Sequence, residues 1–344
     1  MSTRAENTIM FREAAQAPQA VRAQLAVNAA QVARLAERLR ATPPRAVVTC
    51  ARGSSDHAAT FARYLIETHL GLLTSSAAPS VSSVYATATD LAGTLMLTIS
   101  QSGASPDLLA VVGQARKAGA HIVALVNAEE SPLAQLADEL LPLHAGPERS
   151  VAATKSFLAS LAAIVQLVAA WSNDRALAAA LESAPQLLTR AWQLDWSAVV
   201  TRLTAANNLY VIGRGLGLGV AQEAALKLKE TSALHAEAVS AAELRHGPMA
   251  LVRTGFPLLV FSQNDESRPG IVQLAAELSA QGADVLLAGT HLAHTTELPT
   301  EAAHPVIEPL LFAQSFYRAA NALALARGHD PDAPPHLRKV TETL

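Results

Sequence analysis

The chain has one cysteine, Cys50, so it can form neither an intrachain disulfide nor a thiolate metal site, and Cys50 sits in an apolar, strand-like run that reads as core. Charged residues supply only 16% of the sequence while half of it is apolar, which excludes a disordered chain. A basic excess is also missing. A net charge of −3 and a pI near 6.4 leave no footprint for a nucleic-acid partner. The longest apolar run, Leu158 to Trp171, is interrupted by Ser160 and Gln166 and is too short to span a bilayer. The N-terminus, MSTRAENTIMFREAAQAP, carries acidic residues and no hydrophobic stretch of a signal peptide. A cytoplasmic enzyme without a membrane partner is the expectation. HExxH and zinc-spaced histidines, GxxxxGK[ST] and GxSxG are absent, so no metal, cofactor, nucleoside triphosphate or nucleophile-elbow chemistry is expected.

What the chain does have is alternation. Residues 1–40 read as helical, with Val21, Leu25, Val32, Leu35 and Leu39 in a 3.6-residue pattern and Thr42-Pro43-Pro44 as the stop. Ala46 to Cys50 reads as a short buried strand, followed by Ala51-Arg-Gly-Ser-Ser-Asp-His57 and a helix through Tyr64 and Ile66. Thr94 to Ile99 is a second strand. It runs into Ser100-Gln-Ser-Gly-Ala-Ser-Pro-Asp107, where Pro106 suits the first turn of a helix. A third strand falls within Gly119 to Val126 and a fourth near Leu140 to Leu143, before a helix that starts near Thr154. Such alternation implies a parallel sheet with helices on both faces.

The second half repeats the plan. Arg214 comes after Arg52 and Gln263 after Gln101 at the same spacing of 162 residues, and Gly282-Ala-Asp-Val comes after Gly119-Ala-His-Ile at 163. The 344 residues therefore read as a tandem duplication of one doubly wound α/β unit, each copy large enough for its own core. The expected division is a helical segment 1–40, domains 41–195 and 196–330, and a tail 331–344.

Chemistry concentrates in two places. Ser100-Gln101-Ser102-Gly103-Ala104-Ser105 leaves a strand and enters a helix, where backbone N–H groups and hydroxyls suit a phosphate. Gly53-Ser54-Ser55 adds hydroxyls at the same rim, and the two together favour a small phosphorylated polyol; an ordinary serine-rich turn is the plain alternative. The other place is Glu223 to Pro248. Glu223, Lys227 and Glu230 stand at i, i+4 and i+7, one face of a helix, which is either a reactive constellation or a surface ion pair worth about 0.3–0.5 kcal/mol. Ser240-Ala-Ala-Glu243 reads as a capping box that opens a short second helix ending at Gly247-Pro248, with His246 at its end. Gly213-Arg-Gly215 with Gly217 and Gly219 lacks the GxGxxG spacing and is not read as a dinucleotide site.

These segments, with Val151-Ala-Ala-Thr-Lys155, His235-Ala-Glu237 and Leu337-Arg-Lys-Val340, resemble the sugar isomerase (SIS) family, and in particular the isomerase portion of the glutamine–fructose-6-phosphate aminotransferases. The resemblance implies two tandem doubly wound SIS domains, three-layer α/β/α and flavodoxin-like, in a homodimer with a shared active site. It implies that Ser54, Ser55, Ser100, Gln101, Ser102 and Ser105, with Val151 and Ala153, surround a sugar phosphate. Glu230 would carry a proton between C1 and C2. Lys227 would polarise the oxygen near C1 with Glu223 in support, His246 from a second subunit would open the ring, and Lys339 would engage the C2 carbonyl as an imine.

There are departures. Residue 1 is Met and residue 2 Ser where the aminotransferases begin a glutaminase domain with a cysteine nucleophile, so no internal ammonia source is expected. Ala153 stands where their motif has Ser, and Arg52 replaces a small or Cys residue. Ala51-Arg-Gly-Ser-Ser-Asp is closer to the stand-alone SIS-type glucosamine-6-phosphate deaminases, which implies conversion of glucosamine 6-phosphate and water to fructose 6-phosphate and ammonia. Two alternatives stand beside it. One is a deglycase or isomerase of another 6-phosphorylated amino sugar or sugar–amine adduct, and the other is a non-catalytic sugar-phosphate sensor.

Overall fold

Ten short strands form two separate five-stranded sheets, all parallel, in a computed structural model that describes residues 5–339. In chain order the elements begin with α1 (Ile9–Ala15), α2 (Ala17–Ala41), β1 (Val47–Cys50), α3 (Ser54–Leu70) and β2 (Thr74–Ser76). Then come α4 (Pro79–Ser83), β3 (Leu95–Ser100), α5 (Pro106–Lys117), β4 (His121–Val126), α6 (Pro132–Leu136) and β5 (Glu139–Pro142). Next are three helices, α7 (Lys155–Ser172), α8 (Arg175–Ala191) and α9 (Ser197–Leu203). The remainder is β6 (Asn208–Gly213), α10 (Leu216–Ser232), β7 (His235–Ser240), β8 (Pro257–Phe261), α11 (Arg268–Ala280), β9 (Asp284–Ala288), β10 (Thr296–Leu298) and α12 (Glu308–Ala326).

The chain divides into two units. The first comprises 19–148, 155–182 and 338–339, and the second 5–18, 149–154 and 183–337. Strand order is β2-β1-β3-β4-β5 in the first and β7-β6-β8-β9-β10 in the second, so both adopt the doubly wound pattern 2-1-3-4-5. The repeat inferred from three landmarks is thus a repeat of topology. Val340, the last residue of the tail motif, lies outside the described residues.

Buried Met96, Ile122, Ala124 and Val126 of the first sheet pack on Leu108, Val111 and Val112 of α5. In the second, Ile212, Val260 and Leu287 pack on Ile271, Leu274 and Leu278 of α11. Helix α7 is long and apolar enough by composition to cross a membrane, but 83% of that window is buried, and it serves the first unit as a core helix. Burial pushes the Cys50 thiol up to about 12, with the Asp107 carboxylate adding to the effect. Since the thiolate is the reactive form, the native protein is expected to show no titratable thiol with a disulfide reagent at pH 8, and one per chain after denaturation.

Three strands escape a sequence reading: β2, β7 and β10. Each lies at a sheet edge, where one flank faces away from the ladder and polar residues are tolerated. Of these β7 matters most, because it corrects the expected capping box. Ser240 is the last residue of a strand in register with Gly213, and the Ala241 N–H donates to the Gly213 carbonyl at 3.0 Å. The backbone needed to start a helix at Ser240 is therefore committed to β6. Past that strand the chain makes two successive 3₁₀ turns, Glu243–His246 and Pro248–Leu251, neither with a side-chain cap, the first held down by the buried Leu244.

Candidate active site

In the first unit the hydroxyl-bearing loops sit where the strand order reverses, at the C-terminal ends of β1 and β3. Ser100 ends β3, and its Oγ accepts from the Gly103 N–H at 2.9 Å, bracing the turn. Gly103 has φ 61°, and a Cβ there would lie 2.2 Å from the Oγ of Ser131, so the close turn requires glycine. The loop is tied again by the Ala128 N–H to the Gln101 carbonyl at 3.2 Å and by Leu133 N–H to the Gly103 carbonyl at 3.1 Å. Ser105 is the N-cap of α5, yet its side chain makes no capping hydrogen bond. Gln101, Ser102 and Ser105 are all half-buried, as are Ser54 and Ser55 in the first turn of α3.

One contact here joins both strand ends. Arg52, two residues past β1, donates from Nε and Nη2 to one oxygen of Asp107, at 2.8 and 2.6 Å. Asp107 is the second residue of α5; its other oxygen accepts from the Leu108 N–H at 2.8 Å. Lys339 also belongs to the first unit. Its ammonium lies 3.3 Å from the Glu148 carboxylate, which is buried and also accepts from the Ser156 hydroxyl at 2.5 Å.

In the second unit, α10 brings Glu223, Lys227 and Glu230 together as the spacing predicts. The Lys227 ammonium is 3.5 Å from Glu223 and forms a short ion pair with Glu230. The surface-pair alternative is removed by burial: the side chains of Glu223 and Lys227 are each 1% exposed, against 19% for Glu230. Tyr317 of α12, which sequence reasoning missed, donates its hydroxyl to Glu223 at 3.0 Å. Arg327 at the end of α12 holds the C-terminus of α10 through the Ser232 carbonyl at 2.8 Å. His246 is exposed at the end of its 3₁₀ turn, next to Gly247. Val151 and Ala153 belong to the second unit and are half-buried; the backbone before them, Arg149 and Ser150, donates to the Glu13 carboxylate at 2.6 and 3.1 Å.

Residues 42–170 and 202–296 match the model of the SIS domain family, one segment per sheet. The chain belongs to the SIS family. A glutamine–fructose-6-phosphate aminotransferase (isomerizing) from Aeropyrum pernix is 36% identical over 307 residues, 83% of this chain and 49% of that protein. The chain thus spans about half the length of the curated relatives it matches. A solved structure from Silicibacter pomeroyi DSS-3, described as a phosphosugar isomerase, has a TM-score of 0.90 at 42% identity and covers 94% of this chain and 100% of its own. The C-terminal domain of the Francisella tularensis glucosamine–fructose-6-phosphate aminotransferase gives 0.86 at 26% identity over 95% and 98%.

The two SIS units differ at the same topological position. Between β6 and β8 the second unit fills its crevice with its own side chains. Gln263 is fully buried, and its Nε2 reaches the Arg214 carbonyl at 2.7 Å, Asp265 at 2.9 Å and the Ser267 hydroxyl at 3.1 Å. Gly217 makes room for it, since a Cβ there would lie 2.4 Å from Gln263 Oε1. Asp265 also accepts from the Ser267 N–H at 2.9 Å and hydroxyl at 2.5 Å, placing a carboxylate against the start of α11. The first SIS unit has hydroxyls at the matching turn and, among the described residues, no such plug.

Proposed function

We propose that this SIS protein is an isomerising glucosamine-6-phosphate deaminase, turning glucosamine 6-phosphate and water into fructose 6-phosphate and ammonia. The observation that carries the reading is the buried carboxylate–ammonium–carboxylate row on α10, whose solvent-facing end is Glu230. An aldose–ketose shift needs one base that removes the C2 proton and returns it to C1, and a fixed cation for the negative charge that develops on oxygen in between. Glu230 is the base and Lys227 the cation. Glu223, itself held by Tyr317, keeps the ammonium in place. After the shift, C2 bears an imine, which water hydrolyses to the ketone and ammonia.

The rim of the first unit supplies the other requirement, a grip on the phosphoryl group through Ser54, Ser55, Ser100, Gln101, Ser102 and Ser105. Val151 and Ala153 would complete the wall around the sugar. His246, exposed on its turn, would act on the ring oxygen in a second copy of the chain, so the active form is a homodimer. For Lys339 to take part its amine must first leave Glu148. It would then attack the C2 imine, expel ammonia and leave a lysine imine that water hydrolyses to the ketone and the free amine. The string Ala51-Arg-Gly-Ser-Ser-Asp resembles that of the stand-alone SIS-type glucosamine-6-phosphate deaminases, which supports release of ammonia over its capture.

Purified protein is expected to release ammonia and fructose 6-phosphate in equal amounts from glucosamine 6-phosphate, and nothing from the N-acetylated sugar phosphate. Binding of the sugar phosphate without turnover would make the chain a sensor. Turnover confined to another 6-phosphorylated amino sugar or sugar–amine adduct would move the substrate and keep the α10 chemistry.

A further inference from the structure

The hydroxyl rim of the first unit is built from neutral donors, apart from one residue. Arg52 lies at the β1 end with its side chain 53% exposed, and it is fixed from below by Asp107, whose side chain is 1% exposed. Two of its N–H groups serve one oxygen of Asp107. A guanidinium has five, in a rigid fork, so about three remain, and they meet no acceptor among the described residues. Asp107 cannot turn towards an incoming anion, because its second oxygen is spent on the Leu108 N–H within α5. The result is a cation held at a set angle beside the N-terminus of a twelve-residue helix, with the Ser105 side chain left out of the cap. A half-exposed guanidinium keeps much of its charge available, while the buried carboxylate removes its freedom to swing away.

We propose that Arg52 is a specificity-determining residue of the sugar-phosphate site, contacting the phosphoryl oxygens directly, and that Asp107 is its positioning residue. Planar, bidentate recognition of phosphate is what a guanidinium does better than hydroxyls or an ammonium. Arg52 then makes the site select a doubly charged phosphoryl end over neutral hydroxyls. Its contact is the same in ground and transition state, so it acts on substrate binding and leaves the proton transfer alone. This rests on reading the serine rim as the phosphate anchor.

The test separates the two. Thermal unfolding of the wild-type protein is measured against increasing inorganic phosphate at fixed ionic strength, alongside Arg52→Gln and Arg52→Lys. A saturable rise in Tm is expected for the wild type. For Arg52→Gln the midpoint phosphate concentration should move up about 10- to 100-fold, the loss of a charge-assisted pair of hydrogen bonds. Arg52→Lys, which keeps the charge and the contact with Asp107 but not the fork, should fall in between and serves alone if the Gln variant does not fold. In turnover, KM for glucosamine 6-phosphate should rise by the same factor with kcat within about twofold, and Asp107→Asn should reproduce part of the rise. Phosphate binding in the wild type that is unaltered in both Arg52 variants overturns the proposal. No phosphate binding in the wild type overturns the reading of the rim beneath it.

Discussion

Glu230→Gln is expected to lower kcat on glucosamine 6-phosphate by about 10²- to 10⁴-fold, the usual contribution of a positioned acid–base group, with KM changed by no more than a few-fold. The amide matches the carboxylate in size, and its carbonyl oxygen still accepts from the Lys227 ammonium, so the row on α10 stays assembled. What it cannot do is accept a proton from carbon. Glu230 is the member with reach: it is three residues beyond Lys227 and the one carboxylate of the row with appreciable exposure. Solvent deuterium at C1 of the fructose 6-phosphate formed in heavy water gives a second readout, since a base that exchanges its proton with solvent leaves that mark. Full turnover in the Gln variant would sink the assignment.

Lys227→Met should cost both stability and activity. The methionine fills nearly the same volume, but it removes the ammonium that faces Glu223 inside the second unit. Breaking one side of a buried ion pair costs about 3–5 kcal/mol, because the remaining charge stays desolvated. That corresponds to a fall of roughly 6–20 °C in Tm for a unit of this size. Activity should drop by about 10²- to 10³-fold, since the developing oxyanion loses its cation. The double variant Lys227→Met, Glu223→Gln separates the two effects: it should regain much of the lost stability and none of the activity. A single variant that melts like the wild type would show that the pair carries no net burial cost.

The row on α10 was legible because helical spacing is local: three residues at i, i+4 and i+7 must share a face. Whether that face is wet or dry is not local. It depends on α12, which arrives 94 residues after Glu223 to set Tyr317 against it. The serine turn was legible for a similar reason, whereas its Arg52–Asp107 clasp joins positions 55 apart and leaves no periodic trace. The capping-box expectation shows the opposite failure. Ser240-Ala-Ala-Glu243 satisfies the local pattern, but β6 claims the same backbone, and a strand pairing outweighs one capping hydrogen bond. Strands β2 and β7 went unseen because edge strands need no apolar alternation, while the buried central strands announce themselves by composition.

Gln263 and Asp265 set the second unit apart from the first. A copied pocket that stays open must keep its shape for as long as it holds a guest. The second unit lodges its own amide and carboxylate in that opening. Helix α10 of that unit encloses an ammonium between two acids. The matching turn of the first unit carries a row of hydroxyls. A ligand entering the opening of the second unit would first have to displace the Gln263 amide from the Arg214 carbonyl, Asp265 and Ser267.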